Sequence, residues 1–238
     1  MKFLKLEKRN KISYVSFTRT KSLNALNSQT LRELIDLNKE FNNDVNTKVV
    51  VYRSVGKNFS AGADIKEQQK KLSKLQIWKS NLGKEAIESI LKINQITIAS
   101  LRGYCLGGAA CIASACDFRV ASENTLVAYP EIDLGMNLNW FGLPLLLRLI
   151  GPSKTKKMVV SGEIENAYDL FKWGFIDEIF NDEELNKKTV ALAKKYASKP
   201  TLPAQMIKRS VNALTYQADQ AIMHMDYDQF LLSREFQE

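Results

Sequence analysis

An α/β fold with a mostly parallel sheet and a helical C-terminal region is what this sequence predicts, on three observations. Short runs of β-forming residues alternate with segments of helical periodicity as far as Ile179, the pattern of right-handed βαβ units. Two of these runs, Lys48–Arg53 and Gln95–Leu101, are nearly continuous in apolar residues, as strands become when helices cover both faces of a sheet. From about Ala204 onward only helical spacing is left, so the tail reads as a separate packing unit or an oligomer arm. The 238 residues are 45% hydrophobic, enough for one large core with a small appendage.

Taken in order, Ile12–Phe17 alternates and is rich in β-formers, so it is the first predicted strand. Asn27-Ser28 then precede Thr30–Phe41, where Leu31, Leu34, Ile35 and Leu37 share a helical face. Lys48–Arg53 is a buried strand. The loop SVGKNFSAGAD leads into a polar helical stretch that carries Trp78, Ile87, Ile90 and Leu91. Gln95–Leu101 is the next buried strand, and Gly103–Cys116 follows as turn plus helix. Asp117–Ala121 and Thr125–Ala128 are short strands, and Phe175–Ile179 is the last. Beyond Gly151-Pro152 the periodicity predicts helices over 153–161, 166–173, 182–198, 203–214 and 218–233.

Composition narrows the function classes. The formal charge is +8, which suits a solvated basic surface or an anionic small molecule; with no arginine-rich arm and no nucleic-acid motif, a nucleic-acid partner is not expected. Lysines are scattered, and the densest cluster, Lys66 to Lys71, is broken by Glu67. The spacing of Cys105, Cys111 and Cys116 is neither a zinc pattern nor a disulfide framework, so reduced thiols in a cytoplasmic protein are expected. The N-terminus MKFLKLEKRNKIS lacks a secretory apolar region. The uncharged run Gly103–Cys116 is too short to span a bilayer, so no membrane partner is expected. His224 is the only histidine; this disfavours a Ser-His-Asp triad or a multi-histidine metal site.

Two segments share one design. Ser60-Ala-Gly-Ala-Asp64 and Gly103-Tyr-Cys-Leu-Gly-Gly108 each follow an apolar strand, and each is expected to open a helix. Backbone N–H groups at a helix start lack intrahelical acceptors, and small residues let a ligand come close to them. One amide from each junction converging on one oxygen makes an oxyanion hole. Taken alone, each junction reads as ordinary turn chemistry; a third element lifts the pair. After the strand at 125–128 comes Tyr129-Pro-Glu-Ile-Asp-Leu-Gly135, which places Glu131 among Ile132, Leu134, Leu138, Trp140 and Phe141. A carboxylate in apolar company holds its proton to higher pH and works as a general acid or base near neutrality. The plainer reading of Glu131 is a surface residue at a strand end.

NFSAGADIKE (58–67), GYCLGG…CD (103–117) and PEIDLG (130–135), in this order and spacing, resemble the enoyl-CoA hydratase/isomerase (crotonase) superfamily. The resemblance runs from about Ile12 to Pro200 and takes in Lys21-Ser-Leu-Asn-Ala-Leu26 and Gly151-Pro-Ser-Lys154. It weakens after Pro200, and the chain ends at SREFQE where relatives usually carry a further segment. It implies a crotonase-like spiral of ββα units over residues 1–200, with a helical trimerisation or lid region over 201–238. It also implies a homotrimer or a hexamer built as a dimer of trimers, an acyl-CoA substrate, and no metal or redox cofactor. The N–H groups of Ala63 and Gly108 become the oxyanion hole for the thioester carbonyl, and Glu131 the proton-moving group. Lys21 and Lys66 match positions near the CoA phosphates. Leu23, Ala25, Ala61, Asp64, Ile65, Leu106, Gly107 and Pro130 match the nucleotide, pantetheine and thioester path.

The sequence departs from the family in two places. Hydratases there usually carry a second glutamate on the helix after the Gly pair; its position here is Cys111. Two carboxylates suit holding and activating one water, whereas one suits shuttling a proton between carbons, so weight shifts toward an isomerase-like reaction. Hydration is the first alternative and a non-catalytic acyl-CoA-binding protein the second. Cys111 reads as a small buried thiol rather than a nucleophile or base, because nothing nearby in sequence supplies a cation for a thiolate. The second departure is Asn137-Leu-Asn-Trp-Phe-Gly142, which stands where relatives have a Gly-rich loop. Either Asn139 orients a water or the thioester and Trp140 narrows the acyl pocket, or the segment is a repacked helix start with Asn139 as N-cap.

Overall fold

The computed structural model describes residues 1–67, 73–219, 223 and 225–235; His224 and Lys70-Lys71 lie outside the described residues, as does part of the 218–233 helix. The frame is a six-stranded sheet made of β1 (Leu4–Arg9), β2 (Ile12–Phe17), β3 (Val49–Ser54), β4 (Ile96–Leu101), β6 (Phe118–Ser122) and β9 (Glu178–Phe180), in that spatial order. β1 and β2 form an antiparallel hairpin and every later pairing is parallel. β3 shows why its run is apolar throughout. Val50 and Tyr52 face the larger core with α1 (Ser28–Asn43) and α3 (Leu82–Lys92), while Val49 and Val51 face α7 (Asp182–Ala197).

A second, three-stranded sheet holds β5 (Tyr104–Leu106), β7 (Leu126–Ala128) and β8 (Glu165–Asn166). Isolated bridges Leu26↔Ala63 and Ser60↔Cys105 continue it backward along the chain. Each of the first four passes of the chain, from β2, β3, β4 and β6, thus lays one strand in the large sheet, one strand or bridge in the small one, and then a helix; the last pass enters through β8 and reaches β9 after α6. That succession is a spiral of ββα units. α2 (Lys74–Lys79) begins with a capping box in which Ser73 and Gln76 satisfy each other's backbone N–H. α4 (Gly108–Ala115), made of small residues, lies buried between the sheets and α5 (Gly142–Ser161).

Several expectations needed correction. β1 is a strand with no local signal, since LKLEKR is mostly charged. The 103–108 turn contains β5, whose edge bonds run to Ser60 and β7. No helix begins within residues 61–67: Asp64–Glu67 form a turn, so Ala63 is a bridge residue and not a helix start. The expected 153–161 helix is present as the second half of α5, restarted at Pro152 after the non-helical Gly151 (φ 73, ψ 171); the first half, 142–150, was not expected. The 175–179 strand is confined to Glu178–Phe180 because Phe175 turns inward, fully buried, at the end of α6 (Ala167–Trp173). The tail forms α8 (Thr201–Tyr216) and α9 (Asp226–Glu235), the latter packed on α2. Among the described residues, no helix is long and apolar enough to cross a membrane.

Candidate active site

Gly107 is the pivot between β5 and α4. Its N–H donates to Ala128 O (2.8 Å), and its backbone (φ 52, ψ −121) is open to glycine alone in practice. Gly108 then occupies the first position of α4, where the N–H has no intrahelical acceptor. The Ala63 segment is held alongside. Ser60 N–H donates to Tyr104 O, Leu106 N–H donates to Ser60 O, and a β-carbon on Gly62 would stand 3.5 Å from Gly108 N. In the bridge to Leu26, Leu26 donates to Gly62 O and Asp64 donates to Leu26 O, which leaves the Ala63 N–H outside the pairing.

Glu131 is carried on a short 3-10 turn, Pro130–Leu134, closed by Gly135 in the left-handed region. The preceding Tyr129 is fully buried and its hydroxyl is hydrogen-bonded to Ser114 of α4 (2.8 Å), which ties the turn to the helix. A β-carbon at Gly107 would stand 2.8 Å from Glu131 Oε1, so only glycine leaves the carboxyl its place. Glu131 Oε2 is buried with no hydrogen-bond partner among the described residues. Burial pushes the carboxyl up to about 7, opposed by its own backbone N–H.

Ala63, Gly108, Cys111, Glu131, Asn139 and Trp140 all line one cavity of about 540 Å³. Asp64 lines it too, with its carboxylate held by Arg19 Nη2 (2.8 Å); Arg19 also donates to Ala25 O, which pins the 19–25 segment to the site. The remaining residues matched by resemblance lie outside the lining. Lys21, Leu23, Ile65 and Lys66 are exposed, Ala25, Ala61, Leu106 and Pro130 are half-buried, and Gly107 is buried. The cations that line the cavity are Arg32 of α1 and Arg234 of α9, neither of which any local motif marks. α9 also supplies Tyr227 and Phe230, and α3 supplies Gly83.

The two departures now have surroundings. Cys111 is 1% exposed, and its Sγ points at Asn139 O (4.0 Å). Burial, with Glu131, Cys105 and Asp226 nearby, pushes the thiol well above its ordinary range. Asn139 is not the N-cap of α5: that position belongs to Phe141, and Asn139 contributes only its carbonyl, to Gly142 N–H (3.1 Å). Trp140 lies across two glycines, since a β-carbon would meet its ring at 1.7 Å on Gly83 and at 2.1 Å on Gly108. No group of three or more His, Cys, Asp or Glu side chains gathers as metal ligands among the described residues.

Comparison with known proteins adds a family to this geometry. A family model described as enoyl-CoA hydratase/isomerase matches residues 7–238, well past Pro200, where the motif resemblance fades. A crotonyl-CoA hydratase of Syntrophomonas wolfei is 32% identical over 209 residues, covering 87% of this chain and 80% of that protein. A short-chain-enoyl-CoA hydratase of Clostridium acetobutylicum matches at the same identity and coverage. Among solved structures, a probable enoyl-CoA hydratase from Mycobacterium thermoresistibile superposes with a TM-score of 0.89 at 24% identity, covering 99% of this chain and 98% of that one.

Proposed function

The chain belongs to the enoyl-CoA hydratase/isomerase family, and from that premise we propose that it stabilises a thioester enolate and moves a proton with the single carboxylate of Glu131, as in shifting the double bond of an enoyl-CoA. The observation that carries this reading is the state of Glu131. It is the one cavity carboxylate with a buried oxygen, Oε2, that has no hydrogen-bond partner among the described residues, whereas Asp64 is paired with Arg19 and Glu67 accepts from Ser28. In the proposed reaction the thioester oxygen accepts hydrogen bonds from the N–H groups of Ala63 and Gly108. Each such donor counts only as negative charge builds on that oxygen, and losing one typically costs about a hundred-fold in rate. Glu131, poised at about 7, takes a proton from one carbon of the acyl chain and returns it to another. Cys111, protonated and turned toward a carbonyl, takes no proton.

A second reading, hydration of a 2-enoyl-CoA, is favoured by the names of the two relatives at 32% identity. In that case Asn139 or Cys111 would have to hold the water that the second glutamate holds elsewhere. The two are separated by incubating the protein with 2-enoyl-CoA and 3-enoyl-CoA in ¹⁸O-labelled water and following products by mass and absorbance. Double-bond migration without label supports the first reading. A labelled adduct formed at enzymatic rates replaces it with the second. CoA-ester binding with neither product leaves a binding protein.

We infer a homotrimer or hexamer as well. α8 leaves Leu202, Met206, Ile207, Val211 and Leu214 exposed, an apolar row of the kind an interface covers, and light scattering of the purified protein tests it. The buried, unpaired cysteines suit a reducing compartment such as the cytoplasm.

A further inference from the structure

Trp140 and Phe141 are consecutive bulky residues with left-handed backbone, φ 57 and φ 61. Large L-residues rarely take that conformation, and it persists where the surroundings over-determine it, often at a ligand site. Here the surroundings come from distant parts of the chain. Phe141 N–H donates to Asp226 Oδ2 (3.4 Å), and the Asp226 side chain is fully buried. Lys84 pairs with Asp226 Oδ1 (3.4 Å), donates to Met223 O (3.1 Å) and lies over the Phe141 ring. The outcome of this clamp is the position of one ring, the Trp140 indole, wedged between α3 and α4. Its two seats are glycines that no backbone conformation requires, for neither Gly83 nor Gly108 has positive φ. What glycine offers at both is the absence of a β-carbon, and in each case that space is filled by the indole.

We propose that Trp140 is the specificity-determining wall of the cavity, restricting the acyl group to a short chain, with Gly83 and Gly108 as its seat and the Asp226–Lys84 pair as the clamp that holds it. This rests on the acyl-CoA reading. A thioester oxygen at the Ala63 and Gly108 amides puts the first acyl carbons beside Glu131. The indole rests on Gly108 itself, so a long tail meets the ring within a few carbons of the carbonyl. Each methylene that a closed apolar pocket cannot take costs roughly ten-fold in discrimination.

The test uses the full chain and its Trp140→Ala, Trp140→Phe and Gly83→Ala variants. Binding of butyryl-, octanoyl- and dodecanoyl-CoA is measured by calorimetry, and turnover of the matching enoyl esters is measured alongside. The wild type is expected to lose at least about ten-fold in affinity and in kcat/KM between four and twelve carbons. Trp140→Ala should level the series by gaining on the long esters, with Trp140→Phe in between. Gly83→Ala, by displacing the ring, should alter the chain-length profile more than the affinity for CoA itself. A flat wild-type profile overturns the proposal without any variant, and so does a Trp140→Ala or Trp140→Phe protein that weakens every ester equally. Failure of the folded wild type to bind any ester sinks the acyl-CoA reading itself, and this inference with it.

Discussion

The cavity has two walls built on different principles. One consists of Ala63, Gly108 and Glu131, and offers backbone N–H groups and one carboxyl. Each of its pieces follows from short-range facts, a strand that ends, a glycine with φ 52, a helix that starts, a 3-10 turn closed by Gly135, and regular backbone pairing to Leu26, Tyr104 and Ala128 brings the pieces together. The other consists of Trp140, Tyr227 and Phe230, and offers rings. Its shape depends on a left-handed pair of residues held by an aspartate 85 positions away. The comparison suggests a division of labour in which the first wall sets what reaction is possible and the second sets what fits. Substitutions in the first should then change turnover at constant affinity, and substitutions in the second should change selectivity or stability.

The largest expected effect tests the first wall. Glu131→Gln removes the only proton-moving group of the proposed reaction and should lower kcat by about 10²–10⁴, while CoA-ester affinity measured by calorimetry stays within a few-fold. An equal loss of affinity would erase the contrast between the walls. The second wall is tested by Asp226→Asn, which leaves the Lys84 ammonium with a weaker partner in a site where the Asp226 side chain is fully buried. Breaking such a pair should cost roughly 3 kcal/mol in denaturant unfolding. It should also free α9 to limited proteolysis while the large sheet stays protected.

A smaller effect lies in the pH dependence of stability. Folding raises the Glu131 carboxyl from its ordinary 4.5 to about 7. Between those values the native state binds more protons than the unfolded chain, so this residue's contribution is full below pH 4.5 and is lost as pH rises through 7. Wild type should lose on the order of 2 kcal/mol relative to Glu131→Gln between pH 5 and pH 8, read from denaturant midpoints at the two pH values. Parallel stability curves for the two proteins would mean that the carboxyl is better solvated than its surroundings indicate. The same titration predicts that turnover begun by proton removal rises with pH through about 7.

The first wall was largely legible in the sequence because its determinants are local. The Gly pair, the PE dipeptide and the apolar strands before them each constrain the backbone within a few residues, and so does the Asn27 cap of α1, whose side chain accepts from Thr30 N–H. The misreading there was the helix expected at Ala63, since a small-residue turn after a strand looks the same whether a helix or a bridge follows. The second wall was legible only as an anomaly: Asn137–Gly142 departs from a Gly-rich pattern, but nothing local says that Trp140 reaches Gly83. Arg32 and Arg234 were missed for the same reason. A charged residue on a solvated helix face gives no sign of the cavity that folding brings beneath it, and among the cations the motif resemblance marks only Lys21 and Lys66.

Cys111 stands where the two walls meet and should give the smallest effect on rate. Its thiol is held protonated by burial and by the neighbouring Glu131, and it points at the Asn139 carbonyl rather than at a cation. Cys111→Ala is therefore expected to leave kcat within about three-fold and to cost roughly 1–2 kcal/mol of stability for the atom it removes. A collapse of turnover in a folded Cys111→Ala protein would mean that the thiol takes part in the chemistry. The reverse substitution is the sharper one. A β-carbon on Gly142 would stand only 2.7 Å from Cys111 Sγ, so the backbone of α5 already closes on this side chain. Cys111→Glu must displace α5, the Trp140 segment, or both, and should destabilise the protein before it can supply a second carboxylate. If Cys111→Glu instead folds with unchanged stability and adds water to a 2-enoyl-CoA, the space beside Cys111 is wider than the packing of Gly142 indicates, and the second wall is a replaceable part of the site.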